Sequence, residues 1–272
     1  MSRPPYKPFH HGPPRFQVAL GQIEPGLWLS PDPEAGWLPE KNRRLDADPD
    51  KYYRGRPDAA AAEAEALMRV CEATGQQAPR RDEPDLIRAG RLVSDDLVVM
   101  QQLEAGWTAT ALLLAQPTFF SLEHSFDREL FALHTPVPGG VPGLATKIAK
   151  VFDRMPAGGV FERFNWTVQI GHERWWPHGS AMREQLDTQS PEDAARQLYL
   201  RVERQTLVRL EETGAVLFCI RICLDPLAEA LADPADREAF ARNWRAAGAD
   251  ALAYKRWGQF SAPVEAALKA MA

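Results

Sequence analysis

Two short glycine-bearing links, Glu104-Ala105-Gly106 and Glu211-Glu212-Thr213-Gly214, constrain this chain more than any other feature. β-rich runs flank each link: 97–103 and 107–116 around the first, 204–210 and 215–224 around the second. A link this short cannot cross over a sheet, so each pair of runs must form an antiparallel hairpin. Between the hairpins, residues 160–170 alternate. Val160, Phe164, Trp166, Val168 and Ile170 share one side, with Arg163 and Asn165 on the other. That is the pattern of a strand with a polar face.

Helical segments lie between and after the strands. Asp58 to Thr74 reads as a helix with Asp58 as its cap, Leu67, Val70 and Cys71 as its apolar face and Gly75 as its stop. Residues 143–155 place Leu144, Ile148, Val151, Phe152 and Met155 at helical spacing between Pro142 and Pro156. Ser190-Pro191-Glu192-Asp193 opens another helix, whose apolar face is continued by Leu198, Tyr199 and Val202. Residues 226–247 and 248–271 are alanine-rich and helical in pattern. Hairpins with helices between them predict an α+β fold, an antiparallel sheet with helices alongside. Residues 1–60 are punctuated by prolines, Pro4 among them, and carry Phe9, Phe16, Trp28, Leu29, Trp37 and Leu38 as apolar anchors. This predicts an arm (1–60) packed on a body (61–272), because a disordered tail has no use for two tryptophans.

Of the 272 residues, 45% are hydrophobic and 25% charged, enough for a real core. The net charge of −5 argues against nucleic acid as a partner. Neither a signal-like leader nor a run approaching ~20 apolar residues is present, so the expectation is a cytoplasmic protein without a membrane partner. The three cysteines form no CxxC pair. Cys219 and Cys223 lie four apart in a strand-like run, ~13 Å from each other, which suits buried thiols better than a metal site.

The six histidines contain no HExxH and no zinc spacing. There is no G-x-S-x-G and no Walker lysine loop, and Pro142 after Gly139-Gly140 removes a donor that a phosphate cradle needs. His134 stands out by its setting. Phe131-Ala132-Leu133 leads into it, and Pro136 and Pro138 stiffen the chain after it. An axial haem ligand needs such a rigid, apolar mount, and a histidine that only braces the turn would look the same. In Glu203-Arg204, the two side chains point to opposite faces of an extended chain, so that one can line a pocket; a surface ion pair is the alternative. Arg163, Asn165 and Arg221 are polar within apolar strands. They suit either propionate binding by charge-assisted bonds or a sheet face open to water.

Three segments resemble the haem-dependent oxidative N-demethylase family. They are Leu133-His134-Thr135-Pro136-Val137-Pro138-Gly139, Arg163-Phe164-Asn165-Trp166 and, most specifically, the run from Glu203-Arg204-Gln205-Thr206 to Gly214-Ala215-Val216-Leu217-Phe218-Cys219-Ile220-Arg221. The resemblance spans residues 15–230 and is strongest after residue 90. It implies a PAS-like antiparallel sheet with flanking helices enclosing a b-type haem, with His134 as the iron ligand. It implies oxidative N-demethylation of a small secondary amine such as dimethylamine. Oxygen is the co-substrate, formaldehyde leaves, and electrons come from NADPH through separate flavin and iron–sulfur reductase components. No dinucleotide fingerprint or iron–sulfur cysteine set occurs here, as suits a haem subunit served by others. Under this reading Arg204 is the catalytic cation near the oxygen side or a propionate, Glu203 orients it, and Arg163, Asn165 and Arg221 contact the cofactor. The chain departs from the family pattern at Gly140, where an aromatic is expected, and in Phe119-Phe120-Ser121-Leu122-Glu123-His124. A rival reading from another class is a non-catalytic PAS-like sensor of haem or another ligand.

Overall fold

Both hairpins form, and the other strands assemble around them. In the computed structural model, which describes residues 5–117 and 120–272, the strands are β1 (Gly21–Ile23), β2 (Tyr53–Gly55), β3 (Asp96–Leu103), β4 (Gly106–Leu113), β5 (Val160–Ile170), β6 (Leu198–Arg209) and β7 (Val216–Pro226). Pro4 of the arm and Phe119 of the Phe119–His124 segment lie outside the described residues. The strands make one seven-stranded sheet in the order β1-β5-β6-β7-β3-β4-β2, with every neighbouring pair antiparallel. Leu103 pairs with Gly106, so the first hairpin turns on Glu104 and Ala105; Gly106 takes φ +115°, open to glycine at little cost.

The helices are α1 (Leu38–Ala47), α2 (Ala60–Thr74), α3 (Asp85–Gly90), α4 (Leu122–Ser125), α5 (Leu130–His134), α6 (Ala145–Arg154), α7 (Ser180–Asp187), α8 (Pro191–Ala195), α9 (Leu227–Ala230), α10 (Pro234–Arg245), α11 (Ala249–Lys255) and α12 (Ser261–Ala270). Among the described residues no helix is long and apolar enough to cross a membrane. α2 stops at Gly75 as expected, in the left-handed conformation. Asp58, however, does not cap it. The helix follows a 3-10 turn, its N-cap is Ala59, and Asp58 instead pairs with Arg56 at 2.9 Å. Ser190 does cap α8, accepting from the Asp193 backbone N–H at 3.1 Å.

The larger correction concerns residues 198–202. They do not continue α8, which ends at Ala195, but begin β6. Leu198, Leu200 and Val202 are buried on one face while Tyr199 and Arg201 take the other. Pairing with β5 on one side and β7 on the other satisfies this backbone twice, which a lone helical turn could not match. The arm also holds a helix, α1, that its proline spacing did not announce. Its Lys41 is fully buried and donates to the carbonyls of Val93 at 2.9 Å and Asp95 at 2.5 Å.

Alternation along the strands sorts the core onto two faces. One face carries Leu97, Val99, Ala111, Leu113, Val208, Leu217 and Cys219, which pack with α2, α3 and the arm residues Trp28, Leu29 and Leu45. Further along the same face, Trp166, Val168, Leu198, Leu200 and Val202 pack with Phe9, Phe240, Trp257 and Phe260. The arm touches both clusters, and this is the arm face. The opposite face carries Val98, Met100, Leu112, Leu207 and Val216, which pack under Leu122, Leu130, Ile148 and Phe152 of α4, α5 and α6. Ser190→Ala should cost about 1 kcal/mol in a urea titration, the ordinary worth of an N-cap, whereas Asp58→Ala should leave the unfolding midpoint unmoved.

Candidate functional site

The six residues singled out in the sequence divide between the two faces. Arg204 and Arg221 pair across β6 and β7 and therefore share the arm face. Both are almost wholly buried, at 2% and 0% exposure. Arg204 donates from Nη1 to the Trp28 carbonyl and from Nη2 to the Leu27 carbonyl, both at 2.7 Å, and from Nε to Glu162 Oε1 at 2.6 Å. Arg221 donates from Nη1 to the Pro31 carbonyl at 2.8 Å and from Nη2 to the Leu29 carbonyl at 3.1 Å. Its Nε and Nη2 also reach Asp95 Oδ2 at 2.9 and 2.7 Å. Every nitrogen of both guanidinium groups thus has a partner: the Nη atoms hold arm carbonyls, and Glu162 and Asp95 take the Nε atoms. The expectations of Arg204 as a catalytic cation and Arg221 as a propionate holder do not suit this geometry; both are braces. Nor does Glu203 orient Arg204, since the two point to opposite faces and Arg204 is held by Glu162.

The opposite face brings the others together in rows set by the register. Phe161, Leu207 and Phe218 form one row; Arg163, Gln205 and Ile220 the next; then Asn165, Glu203 and Ile222; then Thr167, Arg201 and Leu224. The first row lies under α6, whose Phe152 joins Leu207 in the core. The last row is flanked at the β5 edge by the C-terminal segment: Trp257, packed against Trp166 on the arm face, reaches round to donate from Nε1 to Thr167 Oγ1 at 2.7 Å. Between them Arg163, Asn165, Glu203, Gln205 and Phe218 are only half-buried. β6 and β7 are interior strands of the sheet. Side chains there can reach solvent only where the covering layer is incomplete, and Arg201, Ile220 and Ile222 of the same rows are buried, so these rows form the partly covered floor of a depression.

The floor is rich in charge. Glu203 accepts from Arg201 Nη1 at 2.5 Å on Oε1, and on Oε2 from Gln205 at 2.8 Å and Asn165 at 3.3 Å. Lys255, at the end of α11, donates to Asn165 Oδ1 at 2.9 Å and the Trp166 carbonyl at 3.1 Å. Burial raises the Glu203 carboxyl, but Arg201 and Lys255 outweigh it and hold the group below the usual carboxylate range. Burial drives Lys255 down to about 8, with Glu203 opposing and Arg201 and Arg163 adding to the fall. Burial likewise lowers Arg163. The sequence reading missed Arg201, Gln205 and Lys255. Arg201 and Gln205 are in phase with Glu203 along β6; the signal at Arg201 was lost because 198–202 was read as helix, whereas Gln205 lies in a run already read as strand and was open to the same alternation.

His134 closes α5 beside this floor, close enough to Arg163 for its charge to be felt: burial first, then Arg163, lowers the imidazole below its usual value. Its Nδ1 is 2.8 Å from the Leu130 carbonyl. Such a contact fixes the proton on Nδ1 and leaves Nε2 as the lone-pair nitrogen. The turn behind it is tight: Val137 N–H donates to the His134 carbonyl at 3.0 Å and Gly140 N–H to the Val137 carbonyl at 2.7 Å. A Cβ on Gly140 would collide with the His134 carbonyl oxygen, which explains why the aromatic expected there is absent. Half-buried Leu133, Val137, Phe161 and Phe218 give the depression apolar walls.

Arg221→Met leaves Asp95 buried without its cation and should cost about 3–5 kcal/mol in chemical unfolding. Arg163→Met, which removes a desolvated cation whose Nε has no partner, should leave the ligand-free protein as stable or more so. The sequence model of the haem-dependent oxidative N-demethylase, alpha subunit-like family matches residues 51–265, a span that holds β2 to β7, His134 and the whole floor of the depression. The chain belongs to this family of haem-dependent oxidative N-demethylase alpha subunit-like proteins.

Proposed function

We propose that this chain is the b-type-haem subunit of a cytoplasmic monooxygenase that demethylates a small secondary amine such as dimethylamine, on a PAS-like scaffold. The observation that carries the proposal is the mount of His134. Its Nδ1 is bonded to the Leu130 carbonyl one turn back in α5, just ahead of a proline-stiffened turn and beside a depression with apolar side chains and a cationic floor. Iron-ligating histidines are held by a bond from their second nitrogen to a carbonyl or carboxylate, which fixes the ring and the tautomer. The residues fit a haem: an imidazole with its lone pair on Nε2, aromatic and aliphatic side chains for the macrocycle, and buried guanidinium nitrogens without partners. When bound, the haem supplies reductive activation of oxygen, so that amine, O2, NADPH and a proton become demethylated amine, formaldehyde, NADP+ and water.

The chain's own residues bind and orient. His134 would hold the iron as the neutral imidazole, and burial keeps that form dominant at neutral pH. Asn165 and Gln205 fix the Glu203 carboxylate, which faces the cavity as an ionised acceptor able to take the N–H of an amine. The alpha-subunit character of the family implies other subunits, and electrons would arrive from a separate NADPH-dependent flavin and iron–sulfur reductase.

Purified protein reconstituted with hemin should show a Soret band that is lost or shifted in His134→Ala. With a reductase present, dimethylamine should drive NADPH consumption and formaldehyde release. A Soret band unaltered in His134→Ala would remove His134 as ligand. Haem binding with no amine-dependent NADPH consumption would favour a non-catalytic sensor of the same fold.

A further inference from the structure

The floor of the depression holds more positive charge than its own acids can balance. Arg163, Arg201 and Lys255 converge on it, and among the described residues Glu203 is the carboxylate that bonds Arg201 and whose charge acts on the other two. Arg201 is 2% exposed, yet only its Nη1 is bonded; its Nε and Nη2 have no partner, and neither does Arg163 Nε. Unpaired buried donors on a cation are costly, and a fold keeps them where a ligand completes them. The arm face offers the contrast: there Arg204 and Arg221 have a partner for every guanidinium nitrogen. Two uncompensated charges on one floor match two carboxylates. The planar fork of Arg201, with Nη1 on Glu203 and its other nitrogens unmet, suits a carboxylate in particular.

We infer that Arg163, Arg201 and Lys255 form the receptor for a pair of carboxylates, those of the two haem propionates. The inference rests on the haem reading above and assigns the propionate contacts to residues other than Arg221. A small free dicarboxylate presents the same chemistry and is the other source to be distinguished.

The test compares hemin with its dimethyl ester, whose propionates are uncharged, by titration of the full chain followed at the Soret band. Hemin should bind the wild type on the order of tenfold or more tightly than the ester, the worth of charge-assisted bonds. In Arg201→Gln that preference should collapse while ester affinity is kept. Arg163→Gln, at a half-buried position, should reduce the preference in part and covers the case in which Arg201→Gln fails to fold. Equal binding of hemin and ester by the wild type, or equal loss of both in the variants, overturns the inference and leaves the haem reading intact. Should neither porphyrin bind, the haem reading itself fails. Thermal stabilisation by succinate that depends on Arg201 would then support a carboxylate receptor for a free dicarboxylate, and no stabilisation would overturn it.

Discussion

Four backbone carbonyls of the N-terminal arm, those of Leu27, Trp28, Leu29 and Pro31, end on two guanidinium groups in the middle of the sheet. Between residues 24 and 34 the chain has no strand or α-helix in which to satisfy its own carbonyls, so a buried course over the sheet needs donors from elsewhere. Arginine can supply several in one plane, and Glu162 and Asp95 neutralise the two cations that result. The rest of the arm's packing, with Trp28 Nε1 on Thr206 at 3.2 Å and Leu29 in the core below, follows from this anchoring.

The two faces of the sheet therefore solve opposite problems with the same residue types. On the arm face, buried charge is matched donor for acceptor, and the face is closed. On the other face, α4 to α6 cover one end and the C-terminal segment flanks the other, and the rows between them keep charge in excess and partly open to solvent. Closure makes a rigid platform of the arm face. The partly covered face can then hold polar groups in fixed rows without a ligand present.

Much of this was legible in the sequence, and the failures have physical causes. The hairpins and β5 were plain because a period of two with glycine at the turns admits one reading. The opposition of Glu203 and Arg204 was equally plain, but alternation says only that two faces differ, not which is covered. That depended on where the proline-rich arm lies, and prolines set local backbone shape without giving a long-range address. Residues 198–202 were misread because Leu198 and Val202 are spaced for a helix as well as for a strand, and the partners that decide between them, β5 and β7, are distant in the chain. Lys255 reaches the floor from a helix about 50 residues beyond β6, and no local pattern announces that meeting.

β6 interleaves the two tasks residue by residue: Arg201, Glu203 and Gln205 face the depression, while Val202, Arg204 and Thr206 face the arm. Because side chains alternate strictly, inserting or deleting a single residue upstream in this strand would exchange the sets, turning Arg204 toward the cavity and Glu203 toward the carbonyls of the arm. Substitutions here can be absorbed one face at a time, but a length change strikes both at once. In evolutionary terms the strand is therefore a reading frame, free to vary in its letters and fixed in its count.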